Sequence, residues 1–164
     1  MRAGIEVGDE LDRHRLRALR RELRRLEALD VATTALRSRD RSAAEIADRL
    51  AARGVTGAER ERALGTLARA GLVDDARFAS SRAGALAGRG AGDALIRDDL
   101  ERRGIGAEEI VAALAALDPE TDRAARLVEA RGPGAKTARY LAAQGFAEEA
   151  VAAAVAYGPA DEVP

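Results

Sequence analysis

The sequence contains no cysteine, no tryptophan and a single histidine. The absence of cysteine excludes disulfide bonds and thiolate metal sites. Only two phenylalanines and two tyrosines are present, whereas β-sheet cores are rich in aromatic and β-branched residues. The apolar residues are mostly alanine and leucine, which are strong helix formers and suit closely packed helices. The composition therefore favours an all-α protein.

Long apolar runs are also missing. No segment approaches the ~20 apolar residues needed to cross a bilayer, and Arg2 is not followed by the apolar stretch of a secretory leader. With 164 residues, the chain is long enough for one compact domain or a short array of repeats. We expect a soluble protein of the cytoplasm, with no membrane partner.

The charges nearly balance, giving a formal net charge of −1, but they are spread unevenly. Residues 1–53 carry 13 Arg against 10 acids, which gives +3. Residues 54–117 carry 9 Arg against 10 acids, and residues 118–164 carry 5 Arg and Lys against 8 acids. Uniform coating of a nucleic acid is therefore not expected, whereas a local basic patch is compatible with this distribution.

Helical periodicity begins near the N-terminus. Leucines recur at three-, four- and five-residue steps between arginines, which predicts a basic amphipathic helix over Leu11–Ala28, with Asp12 as its cap. These leucines are Leu11, Leu16, Leu19, Leu23 and Leu26.

A helical hairpin then recurs along the chain. LAARGV, LERRGI and LAAQGF share one pattern, in which Gly54, Gly104 and Gly145 end one helix and an apolar residue follows. In the first hairpin, Ser42 and Glu45 have the spacing of a capping box. A third helix precedes each hairpin, and these helices are predicted at Val31–Ser38, Asp75–Leu86 and Pro119–Ala130.

The pattern predicts an elongated all-α array of three tandem three-helix units, with an additional basic N-terminal helix. Single units of this size cannot bury their apolar faces alone, so neighbouring units must stack. The expected boundaries are residues 1–30 for the N-terminal helix, 31–70, 71–117 and 118–158 for the three units, and 159–164 for a tail.

The stretch GLVDDARFA places two adjacent aspartates before one of the two phenylalanines. A metal site would need further ligands nearby, and a catalytic carboxylate pair would need a cleft that separates two pKa values. Helix capping needs only what is present. Gly71 ends one helix, Asp74 caps the next with Asp75 in its first turn, and Phe78 faces the core. We favour capping.

Four segments in this order resemble the RecX family of bacterial recombination regulators. They are RSAAEIADRLAARGV from Arg41, GLVDDARFA from Gly71, GDALIRDDLERRGI from Gly92 and ARYLAAQGF ending at Phe146. GLVDDARFA is the most specific, and the ordered set is more specific than any single segment. The resemblance covers about Leu29 to Tyr157, and AGIEVGDELDRHRL resembles the tail of a longer N-terminal extension found in some members.

Two positions depart from the family pattern. Asp99 stands where glutamate is usual, which is a mild chemical change, and Gln144 stands where a basic residue is usual. The second departure weakens the basic character of the third unit.

The resemblance implies three tandem three-helix units and a noncatalytic function. Family members bind RecA–DNA filaments along their helical groove and commonly inhibit strand exchange and ATP hydrolysis, and some bind DNA directly. It therefore implies a modulator of RecA in DNA repair, recombination and the SOS response. The implied partners are the RecA filament and, through it, single- or double-stranded DNA, and a monomer is expected.

Ten cations are candidates for contact with DNA or an acidic RecA surface, because arginine pairs bidentately with phosphates and carboxylates. For any single one, a solvated surface position is the alternative. These residues are Arg37, Arg39, Arg41, Arg82, Arg89, Arg97, Arg102, Arg103, Lys136 and Arg139. The N-terminal arginines form a denser stripe, for which we slightly favour intrahelical pairs such as Glu22 with Arg25 over phosphate contact.

No catalytic residue, metal ligand or cofactor site is predicted. His14 has no evident catalytic partner, and GRGAG follows no strand and precedes no Lys-Ser or Lys-Thr pair, so a helix connector is favoured over a phosphate loop. An enzyme is therefore disfavoured. Two alternatives remain: a helical protein that binds DNA without RecA, and a helical-repeat scaffold for another protein.

Overall fold

The computed structural model describes residues 12–156, which form helices and short turns with no strand among them. The predicted all-α class is confirmed. The nine helices of this range are α1 (Arg13–Ser38), α2 (Ala43–Ala51), α3 (Gly57–Arg69), α4 (Asp75–Ala87), α5 (Asp93–Arg102), α6 (Ala107–Ala115), α7 (Glu120–Arg131), α8 (Ala135–Ala143) and α9 (Glu148–Ala156). The predicted tail, residues 159–164, and the predicted helical position Leu11 lie outside the described residues.

The beginning of the chain differs from the prediction. The sequence predicts separate helices at Leu11–Ala28 and Val31–Ser38, but α1 runs unbroken through both. Neither glycine nor proline occurs between residues 13 and 38, so no local signal ends the helix near Asp30. Asp12 caps α1 as predicted, because its carboxylate accepts two backbone N–H groups at 2.8 Å.

Contacts divide the chain into two compact units. In the described range, the first comprises residues 12–40 and 46–72, and the second comprises residues 41–45 and 73–156. In the first unit α1 packs on α3, and Arg24 Nε donates to Glu59 Oε1 across these helices at 2.7 Å.

Alanines, rather than the leucines, form the buried face of α1. Ala28, Ala32 and Ala35 are at most 3% exposed, whereas Leu23 and Leu26 are each 50% exposed. Small side chains allow the close approach of α1 to the rest of the unit, and the leucines face away from it. The leucine periodicity therefore predicts the helix, and the structure places its buried face at the alanines.

The second unit holds two apolar clusters. In the first, α4 packs on α5 and α6, and in the second, α7 packs on α8 and α9. Phe78 and Phe146, both predicted structural residues, are 8% and 6% exposed and belong to the first and second cluster. The second unit thus holds two groups of three packed helices, and the predicted division into three three-helix units stays a prediction.

The glycines predicted to end helices have the expected backbone conformation. Gly54, Gly71, Gly104 and Gly145 have φ between +68° and +80°, the left-handed region that glycine occupies without steric cost. In the three hairpins, the residue after Gly54, Gly104 or Gly145 donates its N–H to the carbonyl five residues before it, at 3.1 Å. This bond satisfies a free carbonyl at the helix end.

The two aspartates of GLVDDARFA cap two different helices. Asp74 caps α4 as predicted, accepting the Arg77 N–H at 2.9 Å. Asp75 lies in the first turn, also as predicted, but its carboxylate accepts the Ala43 N–H at 2.8 Å. It thereby caps α2, which begins 32 residues earlier in the chain.

We call this arrangement the first joint: Ser42, Ala43, Asp75 and Arg103. Ser42 is fully buried, accepts the Glu45 N–H at 3.1 Å, which is one half of the predicted capping box, and donates to the Arg103 carbonyl at 2.6 Å. A Cβ on Gly104 would overlap the side chain of Ala44, so α2 begins directly against the next hairpin turn.

A second joint repeats the first at the corresponding positions: Gly92, Asp93, Glu120 and Gln144. The Gly92 N–H donates to the Gln144 carbonyl at 2.8 Å, and the Asp93 N–H donates to Glu120 at 2.6 Å. Glu120 also accepts the Ala147 N–H at 3.2 Å, so one carboxylate caps both α5 and α9. Thus an acid in the first turn of α4 or α7 caps the hairpin helix that precedes it in the chain.

Candidate functional site

The ten candidate cations lie on several elements. Arg37 is in the last turn of α1 and Arg39 is its C-cap, and both are exposed. Arg41 belongs to the second unit and is partly buried. Seven more lie in the second unit, and they differ in whether they form ion pairs with neighbouring carboxylates.

Arg82 and Arg103 meet on a single carboxylate. Arg82 donates to both oxygens of Asp99 at 2.8 Å, and Arg103 Nε donates to one of them at 2.8 Å. Arg103 also pairs with Glu45 at 2.5 Å. These four side chains, which we call the ionic network, are 16–30% exposed. The network joins α4 and α5 to the first turn of α2.

The network shifts the pKa of Asp99 and of Arg82. Hydrogen bonds from Arg82 and then Arg103, opposed by partial burial, hold the pKa of Asp99 far below its usual range. The bond to Asp99 raises the pKa of Arg82. At near-neutral pH Asp99 and Arg82 are therefore both charged. Because Arg82 and Arg103 are paired with carboxylates, they present little free positive charge.

Five candidates remain exposed: Arg89, Arg97, Arg102, Lys136 and Arg139. Arg89 follows α4, Arg97 and Arg102 lie on α5, and Lys136 and Arg139 lie three residues apart on α8. Arg102 pairs with Asp98 at 2.7 Å, with side chains 68% and 61% exposed. Such a solvent-exposed pair is weak and dissociates readily in favour of a phosphate.

The N-terminal arginines include the predicted intrahelical pair. Arg25 and Glu22 form an ion pair at 2.7 Å, and the bond to Arg25 lowers the pKa of Glu22. Arg24 pairs with Glu59 of α3, as described above. The Glu22–Arg25 pair agrees with the favoured interpretation of intrahelical pairs, whereas the Arg24–Glu59 pair joins two helices.

Sequence reasoning missed Arg123, which is only 6% exposed. It donates to the carbonyls of Asp118 and Ala91 at 3.1 and 2.8 Å, pairs with Asp93, and stacks over the Phe146 ring at 5.7 Å. Its partners lie up to 32 residues away, so no local pattern indicates them. The capping role of Asp75 and Glu120 could have been found from the sequence, since each is an acid in the first turn of the helix that precedes a hairpin, α4 or α7.

No group of three or more His, Asp or Glu side chains in residues 12–156 is arranged to hold a metal ion. None of the described helices is long and apolar enough to cross a membrane.

Comparison with known proteins assigns the family. No protein-family model matches the chain. The chain is 37% identical to the regulatory protein RecX of Chromohalobacter salexigens over 137 residues, which cover 78% of this chain and 90% of that protein. It is 33% identical to the regulatory protein RecX of Stenotrophomonas maltophilia over 133 residues, covering 75% of this chain and 82% of that protein.

Solved structures agree at the level of the fold. A crystal structure of regulatory protein RecX matches with a TM-score of 0.73 at 22% identity, covering 89% of this chain and 78% of that one. RecX from Lactobacillus salivarius matches with a TM-score of 0.72 at 16% identity, covering 81% and 95%.

The described residues form an all-α protein of repeated helical hairpins, in which carboxylates in the first turns of α4 and α7 cap the helices α2 and α5. With the identities above, the chain belongs to the RecX family of regulatory proteins.

Proposed function

We propose that this protein regulates RecA by binding the RecA–DNA filament, and that it inhibits ATP hydrolysis and strand exchange. Its role lies in DNA repair, recombination and the SOS response, and it acts as a noncatalytic monomer in the cytoplasm. The observation that carries the proposal is the identity with proteins named regulatory protein RecX over three quarters of the chain.

We assign filament contact to the five candidate cations of the second unit that are exposed: Arg89, Arg97, Arg102, Lys136 and Arg139. Their side chains are accessible, and no buried carboxylate of the described residues holds them. Arg82 and Arg103 are assigned a supporting role, because the ionic network commits both guanidinium groups to Asp99 and Glu45. Contact by Arg37, Arg39 and Arg41 stays a prediction.

Binding to RecA-coated and bare single-stranded DNA tests this assignment. Arg97→Glu combined with Arg139→Glu should weaken binding to the filament at least tenfold, because each reversal replaces an attraction for phosphate by repulsion. Arg49→Glu combined with Arg69→Glu is the matched control, since both residues are exposed arginines outside the candidate set. The control should change filament affinity by less than threefold.

The two rival functions predict other outcomes. Equal affinity for bare and RecA-coated DNA would favour a DNA-binding protein that acts without RecA. Unchanged filament binding by the Arg97 and Arg139 variant would reject the assigned surface. Absence of binding to both forms of DNA would favour the helical scaffold.

A further inference from the structure

One face of α1 is apolar: Leu23 and Leu26 on it are each 50% exposed, and Leu16 and Leu19 are partly buried. Leu16, Leu19, Leu23 and Leu26 are spaced three, four and three residues apart, so they lie along one side of the helix. Ala35 lies nine residues beyond Leu26, which is two and a half helical turns and hence the opposite side. Since Ala35 is buried and Leu26 is half exposed, this leucine stripe faces away from the core of its unit.

A basic edge runs beside the leucine stripe. Arg13, Arg17 and Arg20 recur at four- and three-residue steps, and all three are exposed. No acidic side chain within residues 12–156 forms an ion pair with any of them. Arg24 extends the edge but is paired with Glu59.

The charge pattern argues against a second copy of this chain as the occupant. The stripe has the spacing of a coiled-coil seam, whose flanking residues face each other across the interface. In a parallel pair, Arg15 would face Arg20 of the other copy, and Glu22 would face Glu27. In an antiparallel pair, the two copies of Arg20 would meet, as would the two copies of Glu22. Like charges at these positions are destabilising.

The shape of the stripe argues against a membrane or a nucleic acid. An ordinary amphipathic helix has an apolar face at least about 100° wide, and the strip formed by these four leucines is narrower. A helix that lies on a membrane surface buries a broad apolar face. Phosphates would satisfy the arginines but leave the leucines in water. A narrow apolar seam beside a basic edge is the surface that a second helix fits.

We propose that the leucine stripe and the basic edge of α1 together form a docking surface for an acidic amphipathic helix of another protein. Leucines or similar residues of that helix would cover Leu16, Leu19, Leu23 and Leu26, and its Glu or Asp residues would pair with Arg13, Arg17 and Arg20. The surface lies in the first unit and is independent of the cations assigned to filament contact.

A synthetic helix tests the proposal with the full chain. The probe is a fluorescein-labelled peptide of three heptads, with leucine at the seam positions and glutamate at the flanking ones, followed by fluorescence anisotropy. Leu23→Ser combined with Leu26→Ser should weaken binding at least tenfold. The matched control is Leu72→Ser combined with Val111→Ser, which alters residues 48% and 57% exposed, and it should stay within twofold of the parent protein.

Changes of charge on the protein or on the peptide, and binding to vesicles, complete the test. Reversal of Arg13, Arg17 and Arg20 to glutamate should also weaken binding at least tenfold, and a peptide with lysine in place of glutamate should bind at least tenfold more weakly. Absence of acidic-peptide binding, or binding unaffected by the Leu23 and Leu26 changes, would overturn the proposal. Binding to phosphatidylglycerol vesicles in preference to the peptide, lost in the same leucine variant, would assign the surface to a membrane instead.

Discussion

Single residues determine whether ion pairs or apolar contacts lie beside each joint. Beside the first joint, Glu45, Arg82, Asp99 and Arg103 form the ionic network, whereas the corresponding positions beside the second joint are Leu95, Leu127, Tyr140 and Gln144. The leucines and Tyr140 pack against the apolar clusters. Corresponding positions of the repeat thus carry an ionic network beside one joint and mainly apolar contacts beside the other.

The first prediction concerns Asp99. Asp99→Asn leaves two guanidinium groups without their shared carboxylate, and we expect a loss of about 1–3 kcal/mol in the free energy of unfolding, measured with urea. Asp98→Asn is the control, because Asp98 forms only an exposed pair with Arg102 and should change stability by less than about 0.5 kcal/mol. Equal effects of the two changes would mean that the network does not stabilise the fold.

The second prediction concerns pH. The Arg82 hydrogen bond lowers the pKa of Asp99 below its value of 3.8 in an unfolded chain. Proton binding at this site therefore favours the unfolded chain, so its stabilisation is present above the unfolded pKa and is lost as pH falls toward the folded pKa. The stability difference between the parent protein and Asp99→Asn should be constant from about pH 8 to 5 and shrink below about pH 4. A difference that shrinks between pH 8 and 5 would contradict this account.

At the scale of elements, helix ends are predictable and helix faces are less so. Asp12, Asp74, Gly71 and the three hairpin glycines are recognised from adjacent residues, because capping depends on a few neighbouring backbone groups. The buried face of α1 is not recognised in this way. Leucines stand out in the periodicity, yet close packing in the first unit selects the alanines, and that selection depends on residues distant in the chain.

The third prediction compares two glycines. A Cβ on Gly92 would overlap the backbone of Gly145 and Phe146, so Gly92→Ala must separate α5 from the next hairpin turn. We expect a loss of roughly 1–3 kcal/mol in the free energy of unfolding. Gly84→Ala places its Cβ in open space within α4 and should raise stability by up to about 1 kcal/mol. Thermal unfolding of both variants checks whether their stabilities change in opposite directions. An unchanged midpoint for Gly92→Ala would contradict the close packing described for the second joint.

For the molecule as a whole, the sequence identifies the class of protein better than it identifies the contact surface. The ordered segments from Arg41 to Phe146 and the repeated hairpins predict the fold and the family, because both depend on spacing along the chain. The availability of each arginine depends on its neighbours in space. Arg82 and Arg97 look alike in sequence, yet Arg82 is bound bidentately to Asp99, 17 residues away, and Arg97 is exposed.

The most direct test of the proposed function is RecA ATP hydrolysis on single-stranded DNA, with the purified protein titrated from substoichiometric amounts upward. RecA from the same organism should be used. Regulation through the filament predicts inhibition at well below one protein per RecA, because one bound molecule affects many RecA subunits. An unchanged rate of hydrolysis at every ratio, including an excess of this protein over RecA, would contradict the proposal.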